Sequence, residues 1–201
     1  MKFSKNVVIF VAAAGIAFGG DKRPSRERKV MVCINPGAYA LQIKDAQGLA
    51  STLFRRIGIR LEWHERRFCP AAASALHITL SDRTPDTQHP GALAYSLPYE
   101  GSQIVIFYDR IRNGDPRRLT YLTAYVLAHE ITHILEGADR HSERGIMKAH
   151  WDRVDYFEME AGQLNFSPED VGLISQGLDA RESRTTACQN LGCRREVNRI
   201  M

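Results

Sequence analysis

Residues 119–137, LTYLTAYVLAHEITHILEG, do most to limit the fold of this chain. Leu119, Leu122, Val126, Leu127, Ile131, Ile134 and Leu135 recur at the three-and-four spacing of one helix face. Asp115 ahead of them suits an N-cap, and Pro116 suits the first helical position. Gly137 is the residue type expected just past the end. A long helix ending at about Glu136 follows, with an apolar arc wide enough to require a core. Polar side chains at the border of such an arc are usually aimed at something, because burying them unpartnered is costly.

The polar residues here are His129, Glu130 and His133. Four residues apart on a helix, the two histidines project within about 40° of each other, one turn apart. Two imidazoles so placed can hold one metal ion. Glu130 points about 100° from His129, so it can reach a water on that ion without ligating the ion itself. This is the arithmetic of the H-E-x-x-H signature. Zinc in such a site acidifies its water and polarises a carbonyl, and the glutamate moves the proton. A catalytic zinc needs three protein ligands and one open position. Asp139, His141, His150 and Glu160 are the candidates for the third. His64, His77 and His89 are scattered and read as packed or solvent-facing. No G-x-S-x-G element or phosphate-binding glycine loop is present.

Upstream, KVMVCI (29–34) reads as a strand, and Leu49, Leu53, Phe54 and Ile57 mark a helix over about 43–57 that Gly58 ends. Strands are predicted at 59–68 and 75–82, with a short one at 92–98. The segment 102–111 is the strongest strand signal, and its continuous apolar centre suggests burial on both faces. FSPEDVGLISQGL (166–178) predicts a second long helix, capped by Ser167 and opened by Pro168. The basic tail from Arg181 is expected to be loosely ordered.

With HEITH, Gly137, HS at 141–142 and GIM at 145–147, the chain resembles the metzincin clan of zinc endopeptidases, in its matrixin version. The clan pattern is H-E-x-x-H-x-x-G-x-x-H or D, followed by a turn carrying methionine. The resemblance spans roughly residues 29–180. It implies an α+β fold: a twisted mixed sheet, an active-site helix and a C-terminal helix. It implies a zinc-dependent endopeptidase with His129, His133 and a third ligand on Zn2+, and Glu130 as general base. Met147 would form the apolar floor. The spacing departs from the pattern, because Glu136 stands where the glycine belongs and Asp139 where the third ligand belongs. Two alignments compete. One uses Asp139. The preferred one lengthens the helix by a residue, turns at Gly137 and brings in His141; Asp139 would then pair with Arg140 or Arg144. A gluzincin-type hydrolase using Glu160 as third ligand, and a non-catalytic zinc-stabilised binding module, are the rival readings.

The ends complete the picture. Lys2 and Lys5 precede the apolar run VVIFVAAAGIAF, with Gly19 and Gly20 after it. This reads as a signal peptide over 1–19, a linker over 20–28, a catalytic domain over 29–180 and a tail over 181–201. The expectation is a secreted or periplasmic monomer with no stable membrane span after cleavage, acting on peptide or protein substrates. Net charge is +4, falling by two to about +2 without the leader, too little to argue for nucleic acid. Four cysteines after a secretion signal favour disulfides, paired Cys33–Cys69 and Cys188–Cys193 because each pair is close in the chain. No CxxC pair is present to suggest a cysteine zinc site.

Overall fold

A computed structural model describes residues 27–72, 74–99 and 102–190. The predicted leader, most of the linker, Cys193 and the end of the tail lie outside the described residues, as does the Cys188–Cys193 pairing. The chain runs β1 (Arg28–Asn35), α1 (Ala40–Arg55), β2 (Ile59–Glu65), β3 (Leu76–Ser81), β4 (Ala94–Ser96), β5 (Gln103–Phe107), α2 (Tyr108–Arg112), α3 (Leu119–Glu136), α4 (Arg153–Glu160) and α5 (Pro168–Asn190). The strands form one sheet in the order β2-β1-β3-β5-β4. The first four are parallel, and β4 pairs antiparallel with β5 at the edge. The class is α+β with a mixed sheet, as the sequence implies.

Period-two alternation decides which face of the sheet is covered. Val30, Val32, Ile34, Leu61, Ile78, Ile104 and Ile106 are buried and share one core with α1 and α3. Between them stand Lys29, Glu62, His64, His77 and Thr79, all at least partly exposed. The expectation that 102–111 is buried on both faces holds only toward the end of β5: Val105 is half-buried between Ile104 and Ile106, whereas Phe107 on the same face as Val105 is fully buried. The polar face is partly closed by the segment after β2, which the Cys33–Cys69 disulfide ties to β1.

Several predicted boundaries move: α1 runs Ala40–Arg55 rather than 43–57, and β4 is only Ala94–Ser96. β2 stops at Glu65 rather than Phe68, where a single turn of 3-10 helix takes over. β5 stops at Phe107, because the next residues bury Tyr108 and Ile111 at helical spacing as α2. The C-terminal helix extends past 178 to Asn190, so the first part of the predicted loose tail is helix. It is anchored there: Arg28 pairs with Asp179 and Glu182, and Arg181 donates to the carbonyl of Ser74. Among the described residues, no helix is long and apolar enough to cross a membrane.

Helix α3 is buried from Thr123 to Leu135 and packs against α1, α5 and the sheet. Its end meets α5 at very close range. A Cβ built on Gly177 would lie 1.8 Å from the carbonyl oxygen of Leu135. Intrinsic helix propensity favours alanine over glycine by about 1 kcal/mol. Overpacking against backbone costs about 1–3 kcal/mol or more. The clash is with the main chain of a buried helix, which cannot give way cheaply, so it wins. Gly177→Ala is expected to destabilise the protein by about 2 kcal/mol in urea unfolding, rather than to stabilise it.

Candidate metal centre

His129 and His133 lie on the buried stretch of α3, 8% and 4% exposed. Each ring is fixed through its Nδ1. That of His129 lies 2.8 Å from the carbonyl oxygen of Ile146, and that of His133 lies 3.1 Å from that of Ala138. A carbonyl only accepts, so each Nδ1 carries the proton and each Nε2 presents a lone pair. The two Nε2 atoms are 3.0 Å apart. Burial, with the neighbouring His133 adding to it, pushes His129 down to about 3. Burial also pushes His133 below its ordinary value. Neither ring is then an imidazolium near neutral pH, and two bare lone pairs face each other. A cation between them removes the repulsion. Two nitrogens on one tetrahedral zinc at about 2.0–2.1 Å would stand about 3.4 Å apart, close to the separation found.

The third imidazole is His141. Its ring centroid lies 5.2 Å from that of His129 and 5.0 Å from that of His133. Donor nitrogens of all three lie within 4.8 Å of one another, and His141 faces solvent, leaving one side of the cluster open. Burial lowers His141 as well. The donor set, three imidazoles of which His129 and His133 are held from behind by carbonyls, fits a divalent ion of the zinc type.

The other candidates stand elsewhere. Asp139 is outside the cluster, its backbone N–H 3.4 Å from the Tyr99 hydroxyl. Glu160 ends α4, paired with Arg118. His150 lines the cleft but is not grouped with the three. Arg140 pairs with Glu136, Glu169 and Asp170, so the expected Asp139–Arg140 pair is replaced. Met147 is fully buried, one residue after the carbonyl that holds His129.

How α3 ends explains how His141 arrives. Gly137 takes φ +69°, in the left-handed region that glycine adopts freely, and its N–H bonds the His133 carbonyl. The chain then doubles back, bringing the Ala138 carbonyl onto His133. Beyond it the His141 loop has little regular structure. Asp170, fully buried at the start of α5, holds it instead. Arg140 donates to Asp170 at 3.0 Å, and Ser142 donates through its hydroxyl. These two residues flank His141. Asp170 also accepts from the Ser167 backbone N–H, while the Ser167 hydroxyl accepts from that of Asp170. Burial alone would raise the Asp170 carboxyl; bonds from Ser142, Ser167 and Arg140 outweigh it and hold it low.

Glu130 is 8% exposed beside His129. Burial raises its carboxyl to about 7, against a hydrogen bond from the Ser96 hydroxyl on β4. His129, Glu130 and His141 line a cleft of about 340 Å³, walled by Leu93, Trp151 and Tyr156. The Trp151 ring stands edge-on to His129, at 5.6 Å between centroids.

No protein-family model matches the chain. No curated protein matches it. Among solved structures it is similar to the archaemetzincin of Methanopyrus kandleri, with a TM-score of 0.48 and 14% identity over 78% of this chain and 98% of that one. It is also similar to the archaemetzincin of Archaeoglobus fulgidus complexed with malonate, with a TM-score of 0.42 and 11% identity over 72% of this chain and 99% of that one.

Two outcomes follow. Asp170→Ala removes the buried acceptor shared by Arg140, the Ser142 hydroxyl and the Ser167 N–H, while Arg140 keeps Glu136 and Glu169, and is expected to cost about 3 kcal/mol, measured by urea unfolding. In metal-free protein, the unfolded chain binds a proton on His129 below pH 6.5 that the folded chain refuses until about 3. That contribution to stability is therefore complete above pH 6.5 and is lost progressively as pH falls. Urea midpoints measured in chelator should drop between pH 7 and pH 4, by less in His129→Gln.

Proposed function

We propose that the chain is a zinc-dependent endopeptidase, with His129, His133 and His141 as the residues that would hold the ion. The observation that carries this reading is the pair of buried Nε2 lone pairs, aimed at one point with a third imidazole beside them. When bound, such an ion acidifies a water and polarises the scissile carbonyl. Glu130 accepts the proton of the attacking water and hands it to the leaving nitrogen. Glu130 stands beside His129 on the wall of the cleft, where it can reach a water on an ion held there. A matrixin-like arrangement, with Met147 as the floor, belongs to the same reading.

The substrate lies extended along β4. Among the described residues, that strand pairs on one side only, with β5. It sits against the cleft through Ala94, and against Glu130 through Ser96. A free strand edge binds an extended peptide by main-chain hydrogen bonds, while side-chain pockets give preference. Leu93 and Trp151 make an apolar wall for one substrate side chain. The apolar leader at 7–18 supports export, as a secreted or periplasmic enzyme.

The test is one set of variants assayed for zinc content and for cleavage of a peptide library. Glu130→Gln is expected to keep its zinc and lose about 10²–10⁴ in kcat. His141→Ala is expected to lose zinc and Asp139→Ala to retain it. Peptide cleavage undiminished in Glu130→Gln, or full zinc in His141→Ala with loss in Asp139→Ala, would overturn the assignment.

A further inference from the structure

A second set of metal-binding side chains stands on the far side of the sheet. Cys33, Cys69 and His77 place their donor atoms within 4.8 Å of one another. Strand order produces this. β1 lies between β2 and β3, and Cys33 is in register with His77 on β3 and with His64 on β2. Paired residues of neighbouring parallel strands point to the same face. Val32 and Ile34, on either side of Cys33, face the helices, so Cys33 faces away from α3 and from the three histidines. Cys69 comes in from the turn after β2 and closes the disulfide to Cys33, at a Cα separation of 5.6 Å.

We propose that this is a redox-dependent metal site: a disulfide under oxidising conditions and, once reduced, a two-thiolate, one-imidazole site for a soft divalent ion such as zinc. The step needs a two-electron reductant, such as a dithiol. The dithiol's two electrons break the sulfur–sulfur bond, its two protons complete the Cys33 and Cys69 thiols, and it leaves as its own disulfide. The ion then displaces those two protons and takes the His77 imidazole as third donor. At about 2.3 Å from one tetrahedral ion, two sulfurs stand about 3.8 Å apart. Rotation of the two side chains supplies that opening on a backbone already set at disulfide distance. Cys33 is buried, whereas Cys69 and His77 are half-exposed, so the site opens toward solvent on one side. The sequence lacks the CxxC spacing of a local cysteine site; here the fold brings the donors together across strands.

The experiment uses the full chain with Cys188 and Cys193 replaced by serine, so that the other two thiols are absent. Oxidised protein and protein reduced with a phosphine are each equilibrated with Co2+. Bound cobalt per chain is counted and the near-ultraviolet spectrum recorded. Reduced protein is expected to hold one more cobalt than oxidised protein and to show a thiolate-to-cobalt charge-transfer band that oxidised protein lacks. Cys69→Ser should abolish the band, and His77→Ala should weaken the extra site at least tenfold with unchanged circular dichroism. Equal cobalt in both states, an affinity indifferent to His77→Ala, or unfolding of the chain on reduction would each overturn the proposal. Because the readout is the added ion and its sulfur band, the result is independent of whether the three-histidine cluster is catalytic.

Discussion

Two backbone carbonyls, those of Ile146 and Ala138, decide what the helix histidines can do. By accepting from Nδ1 they fix both the tautomer and the ring plane, and they send both Nε2 lone pairs to one place. Helical spacing alone puts the two rings on one face and leaves each free to rotate about its side-chain bonds. Only the returning chain removes that freedom. The Ala138 carbonyl reaches His133 because Gly137 reverses direction immediately after the helix. The Ile146 carbonyl reaches His129 because the turn at 145–147 is pinned against the chain beyond it, with the Ile146 N–H on the carbonyl of Asn165. The candidate centre is thus a product of how α3 ends, as much as of the residues it carries.

The same logic extends to α5. A loop with so little regular structure needs outside partners to hold His141 within reach of the other two rings. Hydrogen bonds to charged groups contribute about 1.5–3 kcal/mol each, against about 1 for neutral ones. Asp170 gathers several of the charged kind at one buried carboxylate. It caps its own helix and grips the residues on either side of His141. α5 can place that carboxylate only because Gly177 lets it lie directly on the last turn of α3. The His141 loop, α5 and α3 therefore form one mechanical unit.

Much of this was legible in the sequence where the information is local. The period of α3, its glycine stop, the histidine spacing and the alternation of the strands all act over a few residues. The structure places them as the pattern implies. What spacing left open was the choice between Asp139 and His141, because both satisfy the count in different alignments. The chain path beyond Gly137 brings His141, and not Asp139, to the cluster. Asp170 reads from sequence only as an acidic residue in a first helical turn. Its grip on Arg140 and Ser142 spans 30 and 28 residues, and no local signal encodes it. The extension of α5 was hidden for a related reason. Its polar residues 179–182 look like a solvated tail, yet they are held by Arg28 and the Ser74 carbonyl from the far end of the domain. Cys33 and His77 meet only because β3 adds next to β1 rather than next to β2.

Glu130 links the electrostatics of the cleft to the candidate ion. Without a cation its carboxyl is raised to about 7, chiefly because burial disfavours the charged form. A divalent charge on the adjoining imidazoles acts in the opposite direction, since an opposite charge at short range favours the carboxylate. Binding of the ion and loss of the Glu130 proton therefore assist each other. On the proposed reading, a peptide along β4 would displace water from the cleft, lower the local dielectric and strengthen both opposing effects. Ser96, carried by that same strand, lies against the carboxylate and favours its charged form. On the proposed reading, occupancy of the strand edge and the protonation state of Glu130 are linked through that neighbour.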